Sequence, residues 1–429
     1  MTDAAAKTPN IRWRVAALLF FATVINYVDR QTLSVLAVQI SDEFGLSNIE
    51  YSQILQGFLI CYSGMYIVWG LLIDRWGTRV ALAVAMVWWS LANMLHGVAR
   101  GALTLGLFRA LLGAGEAGNF LAAEKAVSEW FPPKERGFAN GLVNAAAATG
   151  AIVAPLLIVW IYRSYGWRAA FVITGAAGFV WLVFWMRLYW TPDEHPRVTE
   201  DERQMIAREA AFNRRETKIR WRDLFKFPQT WGLFLTRVVA DPVWWFYLFW
   251  LPKYLQEDRG FTIEMVALTS WIPYLTADIG SMLGGYASGR LIKAGLSPVK
   301  ARSRVMLFSA LLMPLGMVVA WTESNVIAVA AICLITFAHM SWKTNQMTMT
   351  NDIYPTAIVG SVSGLVGLGS SLSSVLATGA VGYVVEHYSY ATIFVVMSFL
   401  HPAAYLLLRA LVKGGIDEDQ AQPREALAR

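Results

Sequence analysis

Charged residues and cysteine are scarce in this 429-residue chain. Only 15% of its residues are charged and 56% are hydrophobic, whereas about 25% of an average soluble domain is charged. This balance excludes a disordered chain and argues against a soluble globular protein. The two cysteines, Cys61 and Cys333, lie in apolar runs. We therefore interpret them as buried thiols and expect neither a disulfide framework nor a metal site.

Several motifs that carry chemistry in enzymes and nucleotide-driven pumps are missing. No Gly-rich loop is followed by Lys and Ser or Thr in the pattern that cradles phosphates, which excludes ATP as the driving ligand. No His or Cys cluster has metal-ligand spacing, and no nucleophile motif is found. We therefore expect no enzyme activity, no cofactor and no bound metal.

The chain contains a series of long hydrophobic runs instead. A membrane-spanning helix needs about 20 mostly apolar residues, and twelve runs qualify, so the sequence predicts an all-α membrane protein with twelve transmembrane helices. We expect no cleavable signal peptide, because the first run is long and contains Asp29 and Arg30. The runs, called spans 1 to 12 below, are residues 13–38, 51–72, 80–99, 102–125, 137–160, 168–190, 229–255, 265–291, 303–322, 325–349, 357–385 and 391–411.

The basic residues indicate the orientation of the spans. Of the 36 Lys and Arg residues, 27 fall in the inner loops and tails if both termini are cytoplasmic, five fall in the outer loops, and four lie within spans. This asymmetry follows the positive-inside rule and predicts cytoplasmic termini. The net charge of +6 is therefore chiefly an orientation signal, and we expect no nucleic-acid partner.

A polar segment separates the first six spans from the last six. We expect an N-terminal half over 1–190, a cytoplasmic linker over 191–228, and a C-terminal half with a cytoplasmic tail over 229–429. Acidic and basic residues alternate at helical spacing from 201 to 222, which favours one or two solvated helices. A regulatory site in this linker is the alternative.

The connections after spans 2 and 8 carry related basic turns, which suggests an internal duplication. The first reads GLLIDRWGTR over 70–79, and the second reads GYASGRLIK over 285–293. Asp74 can accept a hydrogen bond from a helix N-terminus or pair with an Arg, and Gly77 allows a tight turn. Such a clasp would hold one conformation closed. A plain basic loop explains the Arg residues of the turn but not Asp74 and Gly77.

The first turn resembles the inner-loop pattern of the major facilitator superfamily, and the resemblance covers nearly the whole chain. NYVDR at 26–30, RALLGAGEAGN at 109–119 and EWFPPKER at 129–136 resemble the anion:cation symporter family, which includes bacterial sugar-acid transporters. DPVWWFYLFWLPKYL at 241–255 looks like the hexuronate branch. We assign a gating or conformational role to six residues: Asp74, Arg75, Gly77, Arg79, Arg109 and Arg136.

Ionisable residues inside the spans are the strongest functional candidates, because each costs about 2.5–3.5 kcal/mol on insertion scales. Asp29 and Arg30 are adjacent and therefore point about 100° apart on a helix, so they are expected to face different neighbours. Glu116 lies in a run of Gly and Ala. We predict that Asp29 and Glu116 couple transport to protons, with a static ion pair as the alternative. The resemblance implies the same roles and assigns the substrate carboxylate to Arg30.

Other residues within spans have two readings each. Lys343 either binds substrate or extends to the inner interface. His339 is interpreted as a packing residue and Arg109 as the partner of a nearby carboxylate. Asp241, which precedes a Pro, marks either a gate hinge or an ordinary kink.

Neutral polar and aromatic side chains are expected to bind the sugar. With Arg30 and Lys343, the predicted substrate-binding residues are Tyr62, Asn119, Asn144, Trp244, Tyr247 and Asn345. Trp244 and Tyr247 are three residues apart and are expected to share a helix face. Ala147, Met347 and Gly367 depart from the galactonate-type pattern, so the contacts of that branch do not transfer as a whole.

These observations predict a proton-coupled symporter that imports a hexuronate, such as galacturonate or glucuronate, by alternating access. We expect a monomer in the lipid bilayer of the inner membrane. The alternatives are a sodium-coupled or uncoupled carrier of another organic anion (an aldonate, aldarate or dicarboxylate), or a membrane sensor that binds its ligand without moving it.

Overall fold

A computed structural model describes residues 10–199, 202–204, 206, 224, 226–354 and 356–413. Within these ranges the secondary structure is helical and contains no strand. Seven described helical stretches are long and apolar enough to cross a membrane. Most of the predicted linker from 201 to 222 lies outside the described residues, as do the end of the C-terminal tail and residues 1–9.

Among the residues that the structure describes, five helices form the first part of the chain. Two of them, α3 and α5, are long enough to contain two predicted spans each. The helices are α1 (Ile11–Val35), α2 (Ala37–Phe44), α3 (Asn48–Leu95), α4 (Ala102–Trp130) and α5 (Pro133–Leu188).

The described residues from 226 onward form nine helices, because several predicted spans are interrupted there. Span 7 divides into α6 and α7, and span 8 into α8 and α9. Span 9 divides into α10 and α11, joined by a 3-10 turn at Met313–Met317. The helices are α6 (Pro228–Ala240), α7 (Pro242–Glu257), α8 (Ile263–Thr269), α9 (Ile272–Lys293), α10 (Pro298–Leu312), α11 (Val318–Trp321), α12 (Asn325–Ile353), α13 (Thr356–His387) and α14 (Tyr390–Leu411).

Two glycines divide the longest helices. Gly77 has φ 75° and ψ 161° inside α3, and Gly166 has φ 82° and ψ 168° inside α5. Residues with a Cβ rarely adopt these left-handed values. Each helix therefore has two arms, which correspond to spans 2 and 3 in α3 and to spans 5 and 6 in α5. The expected tight turn at Gly77 is confirmed.

The helices form two compact units. Unit 1 contains the described residues up to Gly45 and those from 53 to 206. Unit 2 contains Leu46–Ser52 and the described residues from 224 onward. The first turn of α3 therefore belongs to unit 2, where the Tyr51 hydroxyl donates to the Phe249 carbonyl over 3.0 Å.

Small residues in α4 bring this helix close to the first arm of α3. A Cβ at Gly113 would lie 2.3 Å from the main-chain oxygen of Phe58, and one at Gly118 would lie 2.9 Å from the Trp69 ring. Only glycine fits at these distances, as is common where membrane helices pack closely. This packing places Glu116, on the same stretch of α4, inside unit 1.

Gly113→Ala is expected to lower the melting temperature of the purified protein. The added methyl group would overlap the Phe58 carbonyl, and overpacking of this kind costs about 1–3 kcal/mol. Gly64→Ala is the matched control, since no atom lies within 4 Å of its added carbon. The control is expected to melt at or slightly above the wild-type temperature, because alanine favours a helix. Equal melting temperatures for the two variants would contradict the close-packing explanation.

Candidate substrate and proton site

A buried ion pair joins α1 to α4 at the centre of the candidate site. The Nη2 atom of Arg30 lies 2.8 Å from Oε2 of Glu116, and the Nε atom donates to the same oxygen over 2.8 Å. Arg30 is 3% exposed and Glu116 is fully buried. The other carboxyl oxygen, Oε1, has no hydrogen-bond partner among the described residues. One oxygen of Glu116 thus holds the arginine while the other is available to a proton.

Aromatic rings surround the Arg30 guanidinium. Its central carbon lies 4.8 Å from the Tyr27 ring centroid, 5.2 Å from that of Phe58 and 5.1 Å from that of Tyr62. Aromatic faces attract a cation by about 0.5–2 kcal/mol each, most strongly where water is excluded. The rings therefore stabilise the guanidinium but cannot neutralise it. Tyr62, predicted from the sequence, is one of the three.

Arg109 supports the same arginine from its main-chain side. Its Nη2 atom donates to the carbonyl of Arg30 over 2.8 Å, and its guanidinium lies 4.8 Å from the Phe58 ring centroid. Arg109 is fully buried, and its charge acts on both Asp29 and Glu116. The carbonyl contact fixes α1 against α4, and the ion pair of Arg109 with a carboxylate stays a prediction.

Asp29 points away from Arg30 toward other helices of unit 1, as the angle between adjacent residues predicts. The Asn93 amide donates to Oδ1 of Asp29 over 2.7 Å and also reaches the Thr174 hydroxyl at 2.9 Å. Asn93 lies in the second arm of α3 and Thr174 in the second arm of α5. Asp29 and Asn93 are fully buried. The two candidate proton carriers therefore occupy different surroundings.

The two predicted asparagines of unit 1 differ in exposure. Asn119 is fully buried and donates to the Thr23 hydroxyl over 3.1 Å. Its side-chain oxygen has no partner among the described residues. Asn144 is exposed within unit 1 and donates to the Asn140 carbonyl, one turn earlier, over 3.0 Å. Asn119 is therefore a fixed polar group, whereas Asn144 faces open space in its own unit.

Unit 2 has its own group of charges at the junction of α6 and α7. Asp241 lies between the two helices, and Pro242 begins α7. The Arg237 Nε lies 3.1 Å from Oδ2 of Asp241. The Lys343 ammonium, on α12, lies 5.6 Å from the Trp244 ring centroid. No carboxylate is within ion-pair distance of Lys343 in the part of the chain that the structure describes.

His339 is not the isolated packing residue that the sequence suggested. Its Nδ1 lies 3.1 Å from Nε2 of His401, on α14, and both rings are fully buried. The Trp244 ring stacks on His339 at 5.9 Å between centroids. No short-range sequence pattern predicts this pair, because the two histidines are 62 positions apart on different spans.

Of the remaining predicted binding residues of unit 2, Asn345 and Tyr247 are buried and Trp244 is half-buried. The amide of Asn345 donates to the Ser341 carbonyl over 2.9 Å. Tyr247 is 1% exposed and packs beside Met313 and Phe394. Trp244 is half-buried and contacts Tyr274 and His339. Of the two helix-7 candidates, Trp244 is therefore the one beside the charged groups.

The predicted clasp after the first arm of α3 has a partner other than the expected one. Asp74 pairs with Lys125 of α4 over 2.5 Å, not with an arginine or a helix N-terminus. Arg79 donates to the Met186 carbonyl, and its guanidinium lies 3.6 Å from the Trp190 ring centroid. Arg75 is exposed. The clasp of unit 1 thus joins α3 to α4 and to the end of α5.

Arg136 and the second turn complete the picture of the gating candidates. Arg136 donates to the carbonyls of Phe131 and Ser128, over 2.8 and 2.9 Å, and so closes the turn between α4 and α5. In the second pattern, at 285–293, Gly289 stands at the position that Asp74 has in the first. Arg302 pairs there with Asp352 and donates to Ser288. The second turn therefore has an ion pair supplied by α10 and α12.

Sequence reasoning missed several residues of the site, and the signals that would have found them differ. Tyr27 is three positions before Arg30 on the same helix face, so spacing alone could have found it. Asn93 is an amide within an apolar span, which is costly unless it is hydrogen-bonded. Phe58 and Thr174 carry no such signal, because an aromatic ring or a threonine in a span is ordinary.

Together, the described helices and buried charges define a membrane carrier with a charged interior. The chain matches the model of the Major Facilitator Superfamily over residues 19–378, and it belongs to that family, whose members are transporters and not enzymes. It is 32% identical to the hexuronate transporter of Escherichia coli K12 over 95% of this chain and 94% of that protein. It is also 32% identical to the galacturonate transporter of Dickeya chrysanthemi over 72% of this chain and 90% of that protein.

A solved structure supports the fold. A bacterial homologue of the human lysosomal transporter Spinster, crystallised in an inward-facing, unoccupied conformation, matches with a TM-score of 0.75. The match covers 96% of this chain and 100% of that chain at 18% identity. The predictions of an all-α membrane fold of the major facilitator type and of a resemblance to hexuronate transporters are therefore confirmed.

Asn93→Ala is expected to destabilise unit 1. The change removes a buried donor to Asp29, and a buried polar group left without its partner costs about 1–3 kcal/mol. Asn144→Ala is the matched control, because that amide is exposed and bonded only within its own helix. Thermal unfolding in detergent should show a lower melting temperature for Asn93→Ala alone. If the two variants unfold alike, the contact between Asn93 and Asp29 does not stabilise the fold.

Proposed function

We propose that this protein is a proton-coupled symporter in the inner membrane and that its substrate is a sugar-acid anion of the hexuronate class. The similarity to hexuronate and galacturonate transporters supports the substrate class. The observation that carries the coupling is the buried pair between Arg30 and Glu116. Alternating access of two six-helix halves, cytoplasmic termini and a monomeric state are parts of the same proposal.

The pair makes the proton and the substrate dependent on each other. A planar guanidinium can bind both oxygens of a carboxylate, but the Glu116 carboxylate already occupies the polar edge of Arg30. A proton on Glu116 neutralises that competitor and frees Arg30 for the carboxylate of the sugar acid. Conversely, loss of the proton restores the internal pair and favours substrate release.

Arg30 is compensated in two states: when it pairs with charged Glu116, and when Glu116 is protonated and an anion is bound. Removing one partner of a buried pair costs about 3–5 kcal/mol, because the other charge remains without compensation. Arg30 without Glu116 or substrate would be in that situation. The states with an internal pair, or with a protonated Glu116 and a bound anion, are therefore favoured over the state with neither. This preference would suppress uncoupled proton leak.

Asp29 is proposed as the second proton-carrying group. The amide of Asn93 supports its carboxylate, and the charge of Arg109 is nearby. A proton on Asp29 would weaken both interactions and loosen α1 from the second arms of α3 and α5. Because Arg109 also holds the Arg30 carbonyl, a change at Asp29 would be transmitted to the substrate-binding arginine.

Neutral groups are proposed to bind the hydroxyls and the apolar face of the sugar. Tyr62 and Asn119 supply these contacts in unit 1, together with the exposed Asn144. In unit 2 the proposed neutral groups are Trp244 and Asn345, and Lys343 is the proposed charged group. Tyr247 is proposed to act mainly through packing behind Trp244, since it is almost completely buried.

Purified protein in liposomes tests the coupling. Galacturonate is expected to accumulate inside the liposomes when the outside is made more acidic than the inside. Glu116→Gln keeps the shape of the side chain but cannot exchange a proton, so it is expected to abolish gradient-driven accumulation. It should retain exchange of external for internal galacturonate, because Arg30 is no longer held by a carboxylate. Glu43→Gln is the matched control and is expected to respond to the gradient as wild type does, because the Glu43 carboxylate pairs with Arg168 at the surface, away from the site.

Several outcomes would contradict this proposal. Accumulation that ignores the pH gradient, or that persists in Glu116→Gln, would show that the pair does not couple transport. Loss of uptake when choline replaces sodium would favour a sodium-coupled carrier. Binding of galacturonate without any flux would favour a sensor, and flux of only aldonates, aldarates or dicarboxylates would reassign the substrate.

A further inference from the structure

The two histidines of unit 2 form a hydrogen-bonded pair that the coupling mechanism of unit 1 does not use. The ring nitrogens lie 3.1 Å apart and both side chains are fully buried. At least one ring must donate to the other. The two outer nitrogens, Nε2 of His339 and Nδ1 of His401, have no hydrogen-bond partner among the described residues.

This arrangement is suited to hold one additional proton. In a neutral pair, one outer nitrogen carries a hydrogen and the other carries a lone pair. A proton that arrives at the free lone pair turns that ring into a two-sided donor, and the central N–H···N bond becomes charge-assisted and stronger. No bond between heavy atoms has to break, and the rings can keep their positions.

Charged groups at the α6–α7 junction and on α12 act on the pair. Arg237 and Asp241 lie at this junction and form an ion pair at 3.1 Å. Lys343 lies one turn after His339 on α12 and contacts the same Trp244 ring. Both Arg237 and Lys343 act on His339. Of these two cations, only Arg237 has a carboxylate within ion-pair distance among the described residues.

The aromatic neighbours close the site without adding charge. Trp244 stacks on His339, and Trp342 meets His401 edge-on at 5.2 Å between centroids. Tyr274 of α9 contacts Trp244, and Tyr405 of α14 contacts Trp342. Whether the pair holds an additional proton therefore depends mainly on whether the charge of Lys343 is compensated.

We propose that His339 and His401 form a second proton-binding site, which takes up a proton when an anion neutralises Lys343. Two like charges on residues one helical turn apart, separated by about 6–10 Å, change proton affinity about tenfold to a hundredfold at an effective dielectric constant of about 20. An anion bound at Lys343 removes that repulsion. By reciprocity, a proton on the pair strengthens anion binding by the same factor.

Histidine-selective isotope labelling and NMR test the proposal directly, because the chain has only five histidines. The imidazole shifts report protonation, and His339→Gln and His401→Gln assign the two resonances. If one of these variants does not fold, the other still assigns its own resonance. The spectra are recorded at about pH 6, near the ordinary pKa of histidine. Wild type, Lys343→Met and wild type with galacturonate are compared.

The pair is expected to be neutral in wild type without ligand. It is expected to be protonated in Lys343→Met, which keeps side-chain length but removes the charge, and in wild type with galacturonate. His96 is the internal control, because it is equally buried and lies in unit 1, hydrogen-bonded to the Ala92 carbonyl. Its resonance should not change.

A pair that stays neutral in Lys343→Met, or that is already protonated in wild type without ligand, would overturn the proposal. The galacturonate arm rests on the proposed function, whereas the Lys343→Met arm does not. Failure of galacturonate to bind would therefore count against the substrate assignment alone. Protonation in Lys343→Met but not with bound galacturonate would overturn the link between the pair and the anion.

Discussion

The buried ion pair between Arg30 and Glu116 is the constraint on which the rest of unit 1 depends. Two charges in a dry interior are tolerated only if each is compensated, and removal of either partner leaves a costly isolated charge. The glycines of α4 let that helix approach α3 closely enough to place Glu116 there. Arg109 then holds the main-chain carbonyl of Arg30, and the aromatic rings surround its guanidinium. The packing and the electrostatics are thus two parts of one arrangement.

A carrier that uses an internal carboxylate as a substitute for its substrate has a simple route to coupling. In the proposed mechanism, the same arginine binds Glu116 when the glutamate is charged and a sugar-acid carboxylate when the glutamate is protonated. Asp29 lies one residue along α1 but faces other helices. This separation gives unit 1 a second ionisable group whose state can be transmitted through Arg109 without competition for the substrate.

Unit 2 differs in the nature of its charges. Arg237 is paired with an aspartate one turn away, and the Lys343 ammonium contacts the Trp244 ring. The same ring stacks on His339 of the histidine pair. Unit 1 therefore pairs Arg30 with Glu116 across two helices, whereas the described part of unit 2 has no carboxylate within ion-pair distance of Lys343.

Local rules predicted much of this molecule from its sequence. Hydrophobic length gave the spans, although α6 and α7 show that Pro242 divides one of them. Gly77 gave the turn in α3, and the angle between neighbours gave the divergence of Asp29 and Arg30. What the sequence could not give is which side chains meet across helices. Asp74 pairs with a lysine and not with an arginine, and His401 forms a hydrogen bond with His339. Tertiary packing determines both contacts, and no short-range sequence pattern predicts them.

The most direct test of the shared arginine counts the protons taken up when galacturonate binds. Calorimetric titration in buffers of different ionisation enthalpy gives this number for wild type and for Glu116→Gln. The competition between Glu116 and the substrate predicts that binding takes up protons in wild type and about one proton fewer in the variant. Equal proton uptake by the two proteins would contradict it.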